Sequence, residues 1–291
     1  MRQSVWYCLM VWVFFSCTAS GQDEAKMIPV GALPAELVEN SGLVMIGPDE
    51  YLGINDSGHE PTIYVFSLKK KIGTRIVKVT NATNVDWEEV TADKEYLYIG
   101  DFGNNEGDRH DLAIYKVKLH DLRIKYEVTA EKISFAFPEQ KKFIPSKKTN
   151  YDCEAMVSIG DSLYLFTKNH GNFRTLAYSL PKVPGTYRAH RLGMFDAEGM
   201  VTGASYRSSN GRDELIFIGY KSKKNDYHPF IIHFTDIKNN RFFESPMRRV
   251  VYTSSSLQLE SIVFKDENTA YVSNEEEHGD PGLVYRIALK Y

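Results

Sequence analysis

Cysteine is nearly absent from this chain, with three among 291 residues. Cys8 and Cys17 lie in the first 21 residues, so Cys153 is left alone and no internal disulfide can staple the fold. Cys153 stands between Asp152 and Glu154, whose charges disfavour a thiolate. It reads as small inner-strand packing rather than as a nucleophile. Neither sign of charge is in excess. The net charge of -3 excludes the basic footprint of a nucleic-acid binder. No window after the N-terminus keeps a helical period. Gly100-Asp101-Phe102-Gly103-Asn104-Asn105 is rich in glycine but has no Lys-Ser/Thr after it, which excludes a phosphate loop. It reads as a tight turn that aims Asp101 and Asn104.

What is present points to strands. Tyr (18) and Phe (16) are abundant, and Val, Ile and Thr fall in short runs. Residues 1–21 read as a targeting leader, with Arg2 before the apolar run Val5 to Phe15, which is too short for an ordinary membrane helix. Two processing routes are open. Cleavage after Ala19-Ser20-Gly21 would release a chain starting near Gln22. Alternatively, Phe14-Phe15-Ser16-Cys17 resembles a bacterial lipoprotein box, with Cys17 as the lipid anchor. Both imply export, to the periplasm, the outer membrane or the medium. A monomer is expected.

Residues 22–291 form one domain built of repeats. Val85-Asp86-Trp87-Glu88-Glu89-Val90 is echoed by Tyr151-Asp152-Cys153-Glu154-Ala155-Met156 and by Leu257-Gln258-Leu259-Glu260-Ser261-Ile262. Weaker echoes start at Asn40 and Val201. The matched positions are Ser41, Glu88, Glu154, Thr202 and Glu260, spaced by 47, 66, 48 and 58 residues. Each opens a unit of about four strands, which predicts a five-bladed β-propeller. The fifth unit lacks its outer strand, and Met27 to Leu33 is free to supply it and close the ring. A six-bladed count would need extra strands between Val117 and Asn150. In the fourth strand of the third unit, Tyr187 to Leu192 is the expected segment.

A propeller brings first-strand starts and second-strand ends to one face. That collects Asn40, Asp86, Glu88, Asp152, Glu154 and Glu260 with Asn55, Asp56, Asp101, Asn104, Lys168, Tyr220, Asn274 and Glu275. Asp86 and Glu88 are two apart and share a side of a strand, as do Asp152 and Glu154. So many carboxylates near one axis repel unless protons or a cation intervene, and Lys168 is the one cation of the set. The candidate metal ligands are Asn55, Asp86, Glu88, Asp101, Asp152, Glu154, Glu260 and Asn274. An all-oxygen set without paired Cys or His-x-His favours Ca²⁺ over Zn²⁺. The candidate catalytic residues are Glu88, Glu154, Lys168 and His170. A wet channel whose polar lining only bonds neighbouring blades would use the same residue types. His59, His110, His170 and His278 each sit in a loop after a second strand. They read as general bases at the mouth or as solvated loop residues. Lys69-Lys70-Lys71, Lys221 to Lys224 and Glu275-Glu276-Glu277 read as exposed charge runs.

Asn55-Asp56-Ser57-Gly58, Asp86-Trp87-Glu88-Glu89, Gly100 to Asn105, Asp152-Cys153-Glu154-Ala155 and Val201-Thr202-Gly203-Ala204 together resemble a group of uncharacterised exported bacterial propellers. More distantly, the arrangement is similar to the calcium-dependent propellers of the paraoxonase and gluconolactonase superfamily, which have six blades. That resemblance implies Ca²⁺ held by Glu88, Glu154, Asn55, Asp101 and Asn274, and hydrolysis of a lactone, ester or phosphoester bond. Two other functions fit the pattern. One is a glycan-active enzyme that draws its acid pair from Glu88, Glu154 and Asp152, with Lys168 holding one of them ionised. The other is a non-catalytic exported binding module. In each, a small molecule or glycan would sit at the channel mouth.

Overall fold

The computed structural model describes residues 26–69, 73–223, 226–252, 256–276 and 282–289. The expected leader with Cys8 and Cys17, and also Lys70, Lys71, Lys224, Glu277 and His278, lie outside the described residues. The short Val-, Ile- and aromatic-rich runs, broken by Asp, Asn and Gly turns, fold as five sheets arranged as five blades. The first blade runs Asn40–Gly47, Glu50–Asn55, Thr62–Phe66 and Arg75–Val79. The second runs Trp87–Ala92, Tyr96–Asp101, Ala113–Lys118 and Glu131–Ala136. The third runs Cys153–Ile159, Ser162–Thr167, Arg174–Pro181 and His190–Asp196. The fourth runs Met200–Ser209, Arg212–Lys223, Asp226–Phe234 and Met247–Val251. In the fifth, Leu259–Asp266, Thr269–Asn274 and Leu283–Ala288 are joined by the N-terminal strand Ile28–Ala32. That strand pairs antiparallel with Leu283–Ala288, so the two ends of the chain close the ring together.

The five blades are those expected, and one strand boundary needs correction. The stretch from Val117 to Asn150 hides no sixth blade. It holds the short helix Leu119–Ile124, the two-residue strand Glu127–Val128 and the second blade's own outer strand. The segment Tyr187 to Leu192 is not one strand. Gly185–Arg188 adds in parallel to the outer edge of the second blade, whereas His190–Asp196 is the outer strand of the third. Ala189, 2% exposed, is the crossing point and donates its N–H to Ala136 O at 3.0 Å. One segment thereby covers a sheet edge and starts the next strand.

The core is distributed, as the ring requires. Five apolar clusters each lie between two successive blades. Trp87 and Tyr115 meet Ile54 and Val77 between the first and second. Phe135 and Phe137 meet Met156 and Tyr178 between the second and third. Phe166 meets Phe217 and Phe234 between the third and fourth. Ile218 meets Ile262 and Val272 between the fourth and fifth, and Tyr51 meets Val263 and Val284 across the closing seam. Cys153 is free and buried in the second of these clusters, which is the packing role expected of it.

The inner strands carry one shared irregularity. Each has a register shift at the same step: Asn40/Gly42, Trp87/Glu89, Cys153/Ala155, Val201/Gly203 and Leu259/Ser261. The skipped residues are Ser41, Glu88, Glu154, Thr202 and Glu260, the same five positions that align in the sequence. A bulge leaves its extra residue outside the ladder and re-aims its side chain. At two blades the bulged hydroxyl ties neighbours together. Ser41 Oγ donates to Trp87 O at 2.7 Å, and Thr202 Oγ1 donates to Leu259 O at 2.6 Å. Glycine follows both because the next blade's backbone is too close. A Cβ on Gly42 would stand 2.7 Å from Val90 N, and one on Gly203 would stand 2.9 Å from Glu260 O. At the other three blades the bulged residue is a glutamate.

Candidate active site

Acids from four blades converge at the mouth. Asp86 and Glu88 come from the second blade, and Asp152 and Glu154 from the third. Oxygens of Asp56, Asp86 and Glu88 all lie within 4.8 Å of one another, and so do those of Glu88, Asp152 and Glu154. Glu88 therefore joins both groups. Glu260 and Glu275, from the fifth blade, act electrostatically on the same cluster. The rim is graded. Asp56, Asp86 and Glu275 are half-buried, whereas Glu88, Asp152, Glu154 and Glu260 are buried.

The cationic complement is small. Lys168 is 6% exposed, and its Nζ donates to Glu154 Oε1. It lies 5.6 Å from the ring centre of Tyr220, which the fourth blade supplies. Burial works against the charge of Lys168, but Glu154, Tyr220, Glu260 and Asp152 outweigh it and hold its pKa well above the ordinary lysine value. On the other flank, His170 Nε2 lies 2.8 Å from Asp152 Oδ2, and Asn104 N donates to Asp152 Oδ1 at 2.7 Å. Gln258 Nε2 donates to Glu260 Oε1 at 2.6 Å.

Carboxyls in excess of cations must share protons. Burial first, then Asp56, pushes Asp86 up to about 7, and the two are hydrogen-bonded to each other. Burial raises Glu260 to about 7, against the pull of Lys168. It raises Glu275 to about 8, with Glu260 and Asp56 adding to it. Glu88 is raised well above the usual carboxyl range by burial and by Glu154, Asp56, Asp86 and Asp152. Two buried oxygens, Glu88 Oε1 and Glu154 Oε2, have no hydrogen-bond partner among the described residues. A buried acceptor without a partner is costly, and both are placed to meet a ligand.

The turn Gly100 to Asn105 sets this geometry. A Cβ on Gly103 would fall 2.2 Å from Glu88 Oε1 and 2.4 Å from Asp86 Oδ2, so only glycine lets the two acids pack against the turn. Asp101 does not face the cluster. It accepts from Arg109 Nη2 at 2.9 Å and from Asp86 N at 3.1 Å, so it holds the turn and Asp86 in place.

Asn55 and Asn274 also serve their loops. Asn55 donates to Glu36 O at 2.8 Å and accepts from Glu39 N at 3.2 Å. Asn274 donates to Glu275 O at 2.7 Å and accepts from Leu283 N at 2.9 Å. In both hairpins the acid one residue further on, Asp56 or Glu275, acts on the cluster. The ladder ends at the asparagine, and the next residue is the first one free to turn toward the axis. Of the sequence-derived ligand set, Asp86, Glu88, Asp152, Glu154 and Glu260 thus gather with Lys168 and His170. Asn55, Asp101 and Asn274 have their side chains engaged elsewhere.

Glu89 is the residue that the repeats did not single out. It occupies the step where the first and fourth blades have glycine. Its carboxylate accepts from Val90 N at 2.9 Å and from Ala204 N of the fourth blade at 3.0 Å. Burial pushes it well above the usual range. Its side chain thus links the second blade to the fourth. The doubled Glu88-Glu89 was its only sequence signal. Among the other histidines, His59 pairs with Glu39 at 2.8 Å on the rim, and His110 stacks on Phe143 with ring centres 3.7 Å apart. His170 alone among these three reaches the acids.

No protein-family model matches the chain, and a search of curated proteins gives no match. Solved structures are similar in fold. An exo-β-1,3-galactanase of Clostridium thermocellum superposes with a TM-score of 0.53 at 10% identity, over 92% of this chain and 63% of that one. The catalytic domain of the Coprinopsis cinerea GH62 α-L-arabinofuranosidase gives 0.52 at 11% identity, over 91% of this chain and 96% of its own. The GH93 α-L-arabinofuranosidase of Fusarium graminearum, solved with arabinobiose, gives 0.50 at 9% identity, over 91% and 98%. At such identities the likeness is one of fold, and the five-bladed propeller of this chain is the fold these glycan-cleaving enzymes share.

Proposed function

We propose that the chain is a glycoside hydrolase that works through carboxyl groups at the mouth of the propeller. One observation carries this reading: Glu88 and Glu154 each keep a buried oxygen without a partner among the described residues, and of the two it is Glu154 that is paired with the buried Lys168. Glu88 stands among four carboxyls and is held protonated, which suits a general acid. Burial raises Glu154 as well, but its other oxygen is paired with the buried Lys168, which pulls against that rise and favours the charged form a nucleophile needs. The nearest oxygens of the two lie within 4.8 Å, which lets both reach one glycosidic bond, and the lysine-paired Glu154 is assigned the attack on the sugar.

In the proposed reaction, Glu154 forms a bond to the anomeric carbon as the glycosidic C–O bond breaks. The proton of Glu88 goes to the leaving oxygen. Water, deprotonated by Glu88, then releases the sugar and restores both groups. His170 and Asn104 fix Asp152 beside them, and Asp56 and Asp86 share a proton at the rim. The fold likeness to arabinofuranosidases and galactanases supports a glycan as substrate. It gives no support to an ester, lactone or phosphoester.

The test is a panel of aryl glycosides and polysaccharides assayed with Glu88→Gln and Glu154→Gln. Each variant should lose about a thousandfold in kcat while the fold is kept. Retained turnover in either would reject the assignment. Retained glycan binding with no turnover in the wild type would instead favour a non-catalytic binding propeller.

A second reading rests on Asp56, Asp86 and Glu88, whose close oxygens suit a hard cation such as Ca²⁺. Such an ion would supply positive charge where Lys168 is the one buried lysine or arginine among the described residues. A thermal melt with Ca²⁺ and with EDTA, alongside elemental analysis, separates the readings. Residues 1–21 act as an export leader in this proposal, and the protein is either released or anchored through Cys17. Mass spectrometry of the mature N-terminus decides between the two routes.

A further inference from the structure

The loop between the second and third blades is the most basic exposed segment near the mouth. It reads Gln140-Lys141-Lys142-Phe143-Ile144-Pro145-Ser146-Lys147-Lys148 and contains no acid. All four lysines are exposed, and none has a carboxylate partner among the described residues. Ile144, between the two pairs, is 69% exposed. The loop is held in place at its base. Gln140 Nε2 donates to Gly107 O at 2.8 Å, Ser146 N donates to Glu106 O at 2.7 Å, and His170 N donates to Thr149 O at 3.0 Å. The last contact links it to the residue beside Asp152. Phe143 is stacked under His110, which gives the loop a fixed flat face between its lysine pairs. The facing hairpin adds Glu106 and Asp108, so positive charge remains in excess.

Four like charges held together without partners repel one another, and they do so on the rim of an acidic mouth. A linear anion would relieve that repulsion. We infer that this loop seats the acidic units of an anionic glycan, one bearing carboxylate or sulfate groups, while the bond to be cleaved lies over the carboxyl cluster. This rests on the hydrolase reading and narrows it to a substrate class. A chain-like polymer can set its charged units on the lysines and present the uncharged glycosidic bond to Glu88 and its neighbouring carboxyls. An anionic membrane pressed on the same face would meet both, and the carboxyls would oppose it.

Affinity electrophoresis in heparin and in polygalacturonate, against neutral arabinan, tests this on the full mature chain. The wild type should be retarded by the anionic polymers, less so as salt rises. Changing all four lysines to Gln should weaken that binding about tenfold at low salt. The four-Arg variant should keep it, and turnover of a small neutral aryl glycoside should be unchanged in both. Equal retardation of the Gln variant, equal retardation in arabinan, or binding to phosphatidylserine vesicles in place of glycans would overturn the inference. Lysine-dependent retardation in a protein that cleaves no glycan would leave the docking loop standing and sink the hydrolase.

Discussion

Lys168→Met tests the electrostatic logic of the mouth most directly. Methionine keeps much of the buried stem and removes the charge that faces Glu154. Breaking a buried ion pair from one side costs about 3–5 kcal/mol, because the remaining charge is left uncompensated. Glu154 has an escape, since it can take up a proton. The cost therefore depends on pH. Without Lys168, the folded-state pKa of Glu154 moves further above its unfolded value of about 4.3. Stability is then lost as pH rises from the unfolded value toward the folded one, at up to about 1.4 kcal/mol per pH unit. The variant should be destabilised by about 3–5 kcal/mol at pH 8 and by much less at pH 5. Adding Glu154→Gln should restore most of the loss at pH 8. Urea denaturation of the four proteins of the cycle, at both pH values, measures this. An equal cost at pH 5 and pH 8, or no relief from Glu154→Gln, would refute the pairing as the reason Lys168 is buried there.

Other expectations follow from particular contacts. Gly103→Ala would drive a methyl group onto the carboxylates of Glu88 and Asp86, and should lower kcat at least tenfold with a small drop in melting temperature. With Asp86 and Glu260 both near 7, the folded state holds extra protons between about pH 4 and 7. These groups stabilise the protein on the acid side and lose that contribution as pH rises through about 7, so thermal melts should show it. If either group must be protonated for turnover, activity has its alkaline limb near the same pH. Deleting residues 22–32 removes the strand that closes the ring and leaves Leu283–Ala288 as an open edge. The melting temperature should fall by about 5–10 °C, and light scattering should detect association. An unchanged melt would show that the seam between the first and fifth blades holds without it.

The repeats Asp86-Trp87-Glu88, Asp152-Cys153-Glu154 and Leu259-Glu260 determined the architecture by themselves. Strand-forming runs of regular length cannot bury both faces alone, so the repeat count gave the blade count and the unpaired last unit gave the closing strand. The alignment also found the five bulge positions, although nothing in it says that they bulge. Tertiary structure decided what each of them does. Whether a bulged residue ties two blades, as Ser41 and Thr202 do, or faces the axis, as Glu88 and Glu154 do, depends on the neighbouring backbone. The one-residue step from Asn55 to Asp56 and from Asn274 to Glu275 depends on where a ladder ends, which packing sets. Glu89 was hidden because its partner, Ala204 N, lies two blades away. The charge states of the mouth were hidden for the same reason. They are set by burial and by acids from distant parts of the chain, and those distances exist only once the ring has closed.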